Sequence, residues 1–149
     1  MQENRIRLYR FCFMLYCFAL LWVLFARFRY DDSLPYWDQV RQYLNLRPFH
    51  TIRLYLRLLI NPVRPILTRL AIYNLAGNIL LFVPMGCLLP LVFEKLRSLS
   101  KTLAASAMVT ACAEIIQVLL LAGSCDIDDL ILNLLGTAMG YPLYKILKS

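Results

Sequence analysis

L-A-I-Y-N-L-A-G-N-I-L-L-F-V-P-M-G-C-L-L-P-L-V-F, residues 70 to 93, carries no charged side chain over its whole length. A helix needs about 20 largely apolar residues to cross roughly 30 Å of bilayer hydrocarbon, and this stretch supplies them. The whole chain agrees: it has 149 residues, is 60% hydrophobic and has a mean hydropathy of +0.61. Soluble domains are usually about 45–50% apolar.

Three further runs qualify. The first covers about 8–28, with Arg10 and Arg27 near its ends, where long basic side chains reach the headgroups. Another covers about 102–122 and contains a single charge, Glu114. The last has about 15 uncharged residues, Leu130 to Tyr144, or roughly 22 Å of helix, too short to cross alone. It is therefore expected to begin near Asp126 and run toward Lys148, about 126–148. The expected fold is all-α: a four-helix transmembrane bundle, read as one membrane domain over 1–149, with an interfacial loop at 29–69. Arg5, Arg7 and Arg10 could also head a signal peptide. The long apolar run, followed by Arg27, Phe28 and Arg29 instead of a small-residue cleavage site, favours a retained span. Five cysteines without C-x-x-C or zinc spacing read as free thiols.

Four spans put both termini on one side of the membrane. The 16 Lys and Arg residues divide evenly between the two sides, so raw count decides nothing. The basic start of the first helix and the acidic third connection favour cytoplasmic termini in a multi-pass membrane protein. The net charge of +7 lies in residues that flank spans or sit on the long loop. Its expected partners are the lipid bilayer and anionic lipid headgroups, with no nucleic acid. Within that loop, P-F-H-T-I-R-L-Y-L-R-L-L-I-N-P (48–62) sets His50, Arg53 and Arg57 three or four apart, with Ile52, Tyr55, Leu56 and Leu59 on another side. This spacing predicts a short amphipathic helix lying in the interface. A lone histidine does not make a metal site, and neither metal nor cofactor is expected.

Polar residues inside spans are costly, so their depths matter. Counting from the loop side at 1.5 Å per residue, Asn74 and Asn78 lie about 6 and 12 Å deep. Gln117 and Glu114 lie about 7 and 12 Å deep, Asp129 and Asn133 about 4 and 10 Å. Each helix carries its polar groups at i,i+3 or i,i+4 spacing, so each shows one polar stripe. The expected picture is a cleft open toward the first loop, with Asn78, Glu114 and Asn133 at its floor and Asp126 at its rim. Asp128, off the stripe, is expected to face headgroups or the loop arginines.

A purely structural account also exists. Asp126 with Asp129 three residues on is a near relative of the capping box, and Asn and Gln often join helices by hydrogen bonds. Glu114 fits that account least well, because intramembrane acids are functional by default. Gly136-Thr137-Ala138-Met139-Gly140 is a G-x-x-x-G strip for close helix approach, and Ala107 and Ala111 offer a matching small strip. Pro84 is expected to bend the second span, with neighbouring groups satisfying the freed carbonyl. No phosphate loop, nucleophile elbow or zinc-protease motif is present in the sequence.

N-L-A-G-N-I-L-L-F-V-P-M-G-C-L-L-P, E-I-I-Q, D-I-D-D-L-I-L-N-L-L-G-T-A-M-G-Y and L-N-L-R-P-F together resemble the VanZ-like family of small bacterial membrane proteins, over about 44–144. That resemblance implies an envelope protein connected with susceptibility to the glycopeptide teicoplanin. It carries over to Asn74, Gly77, Asn78, Pro84, Gly86, Glu114, Gln117, Asp126, Asp129, Asn133 and Gly136. At Gly123 the chain departs from the family pattern, which has a basic residue there. A cation for the cleft is then either missing or supplied by Arg53 or Arg57. The leading expectation is a cleft of Asn74, Asn78, Glu114, Gln117, Asp126, Asp129 and Asn133, with Arg53 and Arg57, that binds an envelope lipid, a cell-wall precursor or a glycopeptide. The alternative is a membrane enzyme acting on lipid-linked phosphates, with Glu114 as acid or base and Asp126 and Asp129 on a divalent metal. Transport would call for a homo-oligomer, because four spans make a narrow path.

Overall fold

The computed structural model describes residues 2–25, 31, 33–62 and 64–148. The end of the expected first span at 26–28, and Arg29 beyond it, lie outside the described residues. Among the described residues four helices are long and apolar enough to cross a membrane: α1 (Gln2–Phe25), α4 (Pro65–Val92), α5 (Leu99–Leu119) and α6 (Ile127–Lys148). Between them lie α2 (Tyr36–Gln42), β1 (Leu44–Asn45), α3 (His50–Ile60) and β2 (Cys125–Asp126), with one 3₁₀ turn at Glu94–Leu96.

Local chemistry sets the helix ends. α4 begins at Pro65, before the uncharged run, because proline suits the first helical turn and an exposed arginine such as Arg69 can reach water from inside a helix. The Ser98 side chain accepts the Lys101 N–H and caps α5. At its other end α5 stops at Leu119, short of the expected Ala122. The Ala122 N–H bonds the Gln117 carbonyl at 2.8 Å and the Leu121 N–H bonds that of Val118 at 3.2 Å, a Schellman closure. Leu121 sits there at φ 52°, where glycine is usual. It stays because its side chain is buried with Val40 and Val118.

The tightest packing joins α4 and α6 backbone to backbone. A Cβ added at Gly86 would stand 1.9 Å from the Thr137 carbonyl oxygen. At Gly136 it would stand 2.1 Å from that of Ile79, and at Gly140 1.9 Å from that of Val83. The G-x-x-x-G strip thus lies on α4, which corrects the expectation that it meets Ala107 and Ala111 of α5. Glycines on both helices remove the side chains that would otherwise hold the axes apart. α4 runs through Pro84 and Pro90 as one helix, and the Tyr16 hydroxyl donates to the Leu81 carbonyl at 3.0 Å in the turn that Pro84 interrupts.

The first connection is more ordered than its sequence implies. α2 buries Gln39, whose amide is fully engaged by the backbone of Asp31 and Leu34. β1 and β2 pair in parallel, Leu44 with Cys125 and Asn45 with Asp126. The connection is thereby strapped to the aspartate segment that starts α6. α3 occupies the stretch expected to be helical, packs on α4 and keeps Arg53 and Arg57 exposed.

Candidate functional site

At the end of the bundle where α5 finishes and α6 begins, a cleft of about 540 Å³ opens between α1, α4, α5 and α6. Asn74 and Asn78 from α4, Glu114 and Gln117 from α5, and Asp129 and Asn133 from α6 all line it. Regular 3.6-residue geometry explains why: each pair falls on one helix face, and the three faces converge. Apolar wall is supplied by Val23, Leu24, Tyr73, Leu80 and Leu81.

Each polar group has its own setting. Asn78 donates its side-chain amide to Asp129 Oδ1. Gln117 donates to the Leu24 carbonyl at 2.7 Å, tying α1 to α5. Asn74 returns its amide to the Leu70 carbonyl at 2.8 Å. Glu114, only 7% exposed, accepts the Asp126 N–H at 3.1 Å. Asn133 is 2% exposed, and its Oδ1 has no hydrogen-bond partner among the described residues. Among the described residues no Lys, Arg or His lines the cleft.

The three aspartates of the D-I-D-D segment divide their work. Asp126 caps α6: its Oδ1 accepts the Asp128 N–H at 2.9 Å, while Oδ2 accepts from Thr51 Oγ1 at 2.6 Å and Asn45 Nδ2 at 3.0 Å. It turns toward the first connection and does not line the cleft. Asp128 is fully buried and accepts the backbone N–H groups of Phe49 and Ile52, at the start of α3. The expectation that it faces headgroups or arginines is therefore corrected: it meets the loop, but through the loop's backbone. Asp129 does not close a capping box. Glu114 takes the Asp126 N–H in its place, so the second half of the box comes from another helix and Asp129 is left to Asn78.

Arg53 and Arg57 stand elsewhere. With Arg47 and His50 they line a separate concavity of about 360 Å³ on α3. Neither enters the acidic cleft, and at Gly123, which does line it, there is no side chain to supply a cation. Among the described residues no group of three or more His, Cys, Asp or Glu side chains converges as a metal site. Asp126 and Asp129, paired in the enzymatic alternative, turn to different partners.

Set beside known proteins, the chain matches the family model described as VanZ/LLP1 over residues 13–148. The chain belongs to the VanZ/LLP1 family. Protein VanZ of Enterococcus faecium is 27% identical over 132 residues, which span 89% of this chain and 70% of that protein. No solved structure matches. With VanZ/LLP1 membership and four apolar helices, it is a multi-pass membrane protein.

Two features of this VanZ/LLP1 chain were not singled out in its sequence. Thr102, Ser106, Thr110 and Glu114 form a buried polar stripe along α5. Ser106 bonds Thr137 at 2.7 Å, while Thr110 Oγ1 is buried without a partner among the described residues. Their regular spacing of four was a readable signal. The grip of Asn45 and Thr51 on Asp126 had no local signal, because it depends on pairing between distant segments.

Proposed function

We propose that this chain acts in the bacterial cell membrane to lower susceptibility to glycopeptides of the teicoplanin type, its cleft holding an envelope lipid, a lipid-linked wall precursor or the drug itself. What supports this most is the convergence of six polar side chains from three membrane-spanning helices on one cleft. Its volume lies within the roughly 300–1,000 Å³ of small-molecule sites, and polar groups at such depth are costly unless used. Family membership supplies the connection with resistance. Both termini lie in the cytoplasm in this reading, so the cleft faces the outer surface, where glycopeptides and wall precursors are found. α3 then rests in the interface with Arg47, Arg53 and Arg57 on lipid phosphates.

The test is the teicoplanin concentration that inhibits a susceptible host expressing wild type, Glu114→Gln or Asp129→Asn at matched membrane levels. Wild type is expected to raise it, and both amide variants to return it toward the empty-vector value. Full protection by both variants would refute a role for the cleft.

A further inference from the structure

The cleft holds two carboxylates, Glu114 and Asp129, and no basic side chain among the described residues. Carboxylates set into a bilayer are expensive without a positive partner. Beside them stands Asn133, 2% exposed, with an acceptor oxygen that has no hydrogen-bond partner among the described residues. An unpaired buried acceptor is costly, so it marks a place where a donor belongs. Taken together, two carboxylates and a free amide oxygen ask for one chemistry: a cation that donates several N–H bonds. A protonated primary amine has three N–H donors in a compact head.

The walls state what carries that amine. Val23, Tyr73 and Leu80 line the cleft and are themselves strongly exposed on the outer faces of α1 and α4. In a membrane those faces meet acyl chains, so the cleft is open sideways to hydrocarbon. An occupant can therefore keep its tail in the bilayer while its head enters between the helices. We infer that the cleft recognises a lipid bearing a primary ammonium headgroup, held by Glu114, Asp129 and the Asn133 Oδ1. This rests on the ligand-binding reading above and narrows it to one ligand class.

Native mass spectrometry of the full chain, released from mixed micelles, tests the inference with phosphatidylethanolamine, phosphatidylcholine and phosphatidylglycerol in equal amounts. The three share a phosphate and acyl chains, and only the first offers N–H donors on a cation. Wild type is expected to retain the ethanolamine lipid about tenfold over either of the others, the discrimination of one charge-assisted hydrogen bond. Glu114→Gln keeps an acceptor for the Asp126 N–H, so it should fold and lose that preference. Gly123→Lys, which sets an ammonium among the same acids, is expected to displace the lipid as well. Its Cβ would meet the Gln117 side chain, Nε2 at 3.1 Å and Cβ and Cδ at 3.4 Å, and no backbone atom as near.

Equal retention of the three lipids by wild type overturns the inference and would mean that the acids carry protons of their own. Displacement by magnesium, or occupancy by free ethanolamine as good as that by the lipid, overturns it too. The wild-type comparison needs no variant to fold. Loss of lipid preference with teicoplanin protection intact would sink only the function, whereas protection that needs Glu114 without any amine preference would sink only this inference.

Discussion

Asp128 illustrates how much one residue can hold. Its carboxylate is buried at the start of α6 and takes two backbone N–H groups from the start of α3, those of Phe49 and Ile52. Helix starts leave such donors unsatisfied, and Phe49 at φ 60° sits in a conformation that side chains seldom adopt. Replacing Asp128 by Ala strands both donors at about 1–3 kcal/mol each, so a loss of about 2–6 kcal/mol is expected. A lowered melting temperature of the solubilised protein, with faster amide exchange across α3, checks this. Asp129→Asn keeps an acceptor for Asn78 and is expected to leave α3 protected. Equal loosening by both variants would contradict the division of labour. Leu121 offers a second residue-scale test. Leu121→Gly relieves about 1 kcal/mol of left-handed strain but removes a buried leucine worth about 2–5 kcal/mol. The glycine variant should therefore melt lower despite its better backbone fit. The sequence placed three aspartates at one helix start and set Asp129 in the cleft with Asn78, but it could not assign Asp126 and Asp128, because their partners Asn45, Phe49, Thr51 and Ile52 lie outside any local period.

Among the elements, α4 and α6 form the contact on which the cleft depends. Gly86, Gly136 and Gly140 bring the two backbones together, and this approach sets where Asn78 meets Asp129. Gly136→Ala and Gly140→Ala each force a methyl group onto a carbonyl oxygen of α4. Overpacking of this kind costs about 1–3 kcal/mol, and relief requires the helices to separate. Each variant is expected to melt lower, and a cysteine pair bridging α4 and α6 should crosslink more slowly. Unchanged crosslinking would show that the glycines are not what holds the helices together. The G-x-x-x-G was legible as a close-approach strip, but its partner was not. Ala107 and Ala111 were small enough to match it, and composition alone cannot choose between two small surfaces.

At the scale of the whole molecule, the spans were the easiest part to read. Hydropathy and length suffice, because apolar phase and helix rise fix how many residues a crossing needs. The depth match of Asn78, Glu114 and Asn133 was legible for the same reason, since depth follows from counting. α2 and the β1–β2 strap were not legible, being held by the buried Gln39 amide and by a pairing across most of the chain. Orientation is where counting stops helping, with eight basic residues on each side among the 16. The argument for cytoplasmic termini rests on distribution: one side gathers Arg5, Arg7, Arg10, Lys95, Arg97, Lys101, Lys145 and Lys148 beside span ends, where the positive-inside rule weighs most. On the other side four of the eight, Arg27, Arg29, Arg64 and Arg69, stand beside span ends in the sequence, while Arg41, Arg47, Arg53 and Arg57 belong to the folded connection. In a background with the native cysteines replaced, Asn61→Cys on the connection should react with an impermeant maleimide in intact spheroplasts. Ser100→Cys, on the side of the termini, should react only after permeabilisation. The reverse pattern would turn the cleft toward the cytoplasm, out of reach of a drug that acts at the outer surface. Protection would then have to work through a lipid-linked precursor taken from the inner leaflet, which makes this labelling decisive for how the cleft could act.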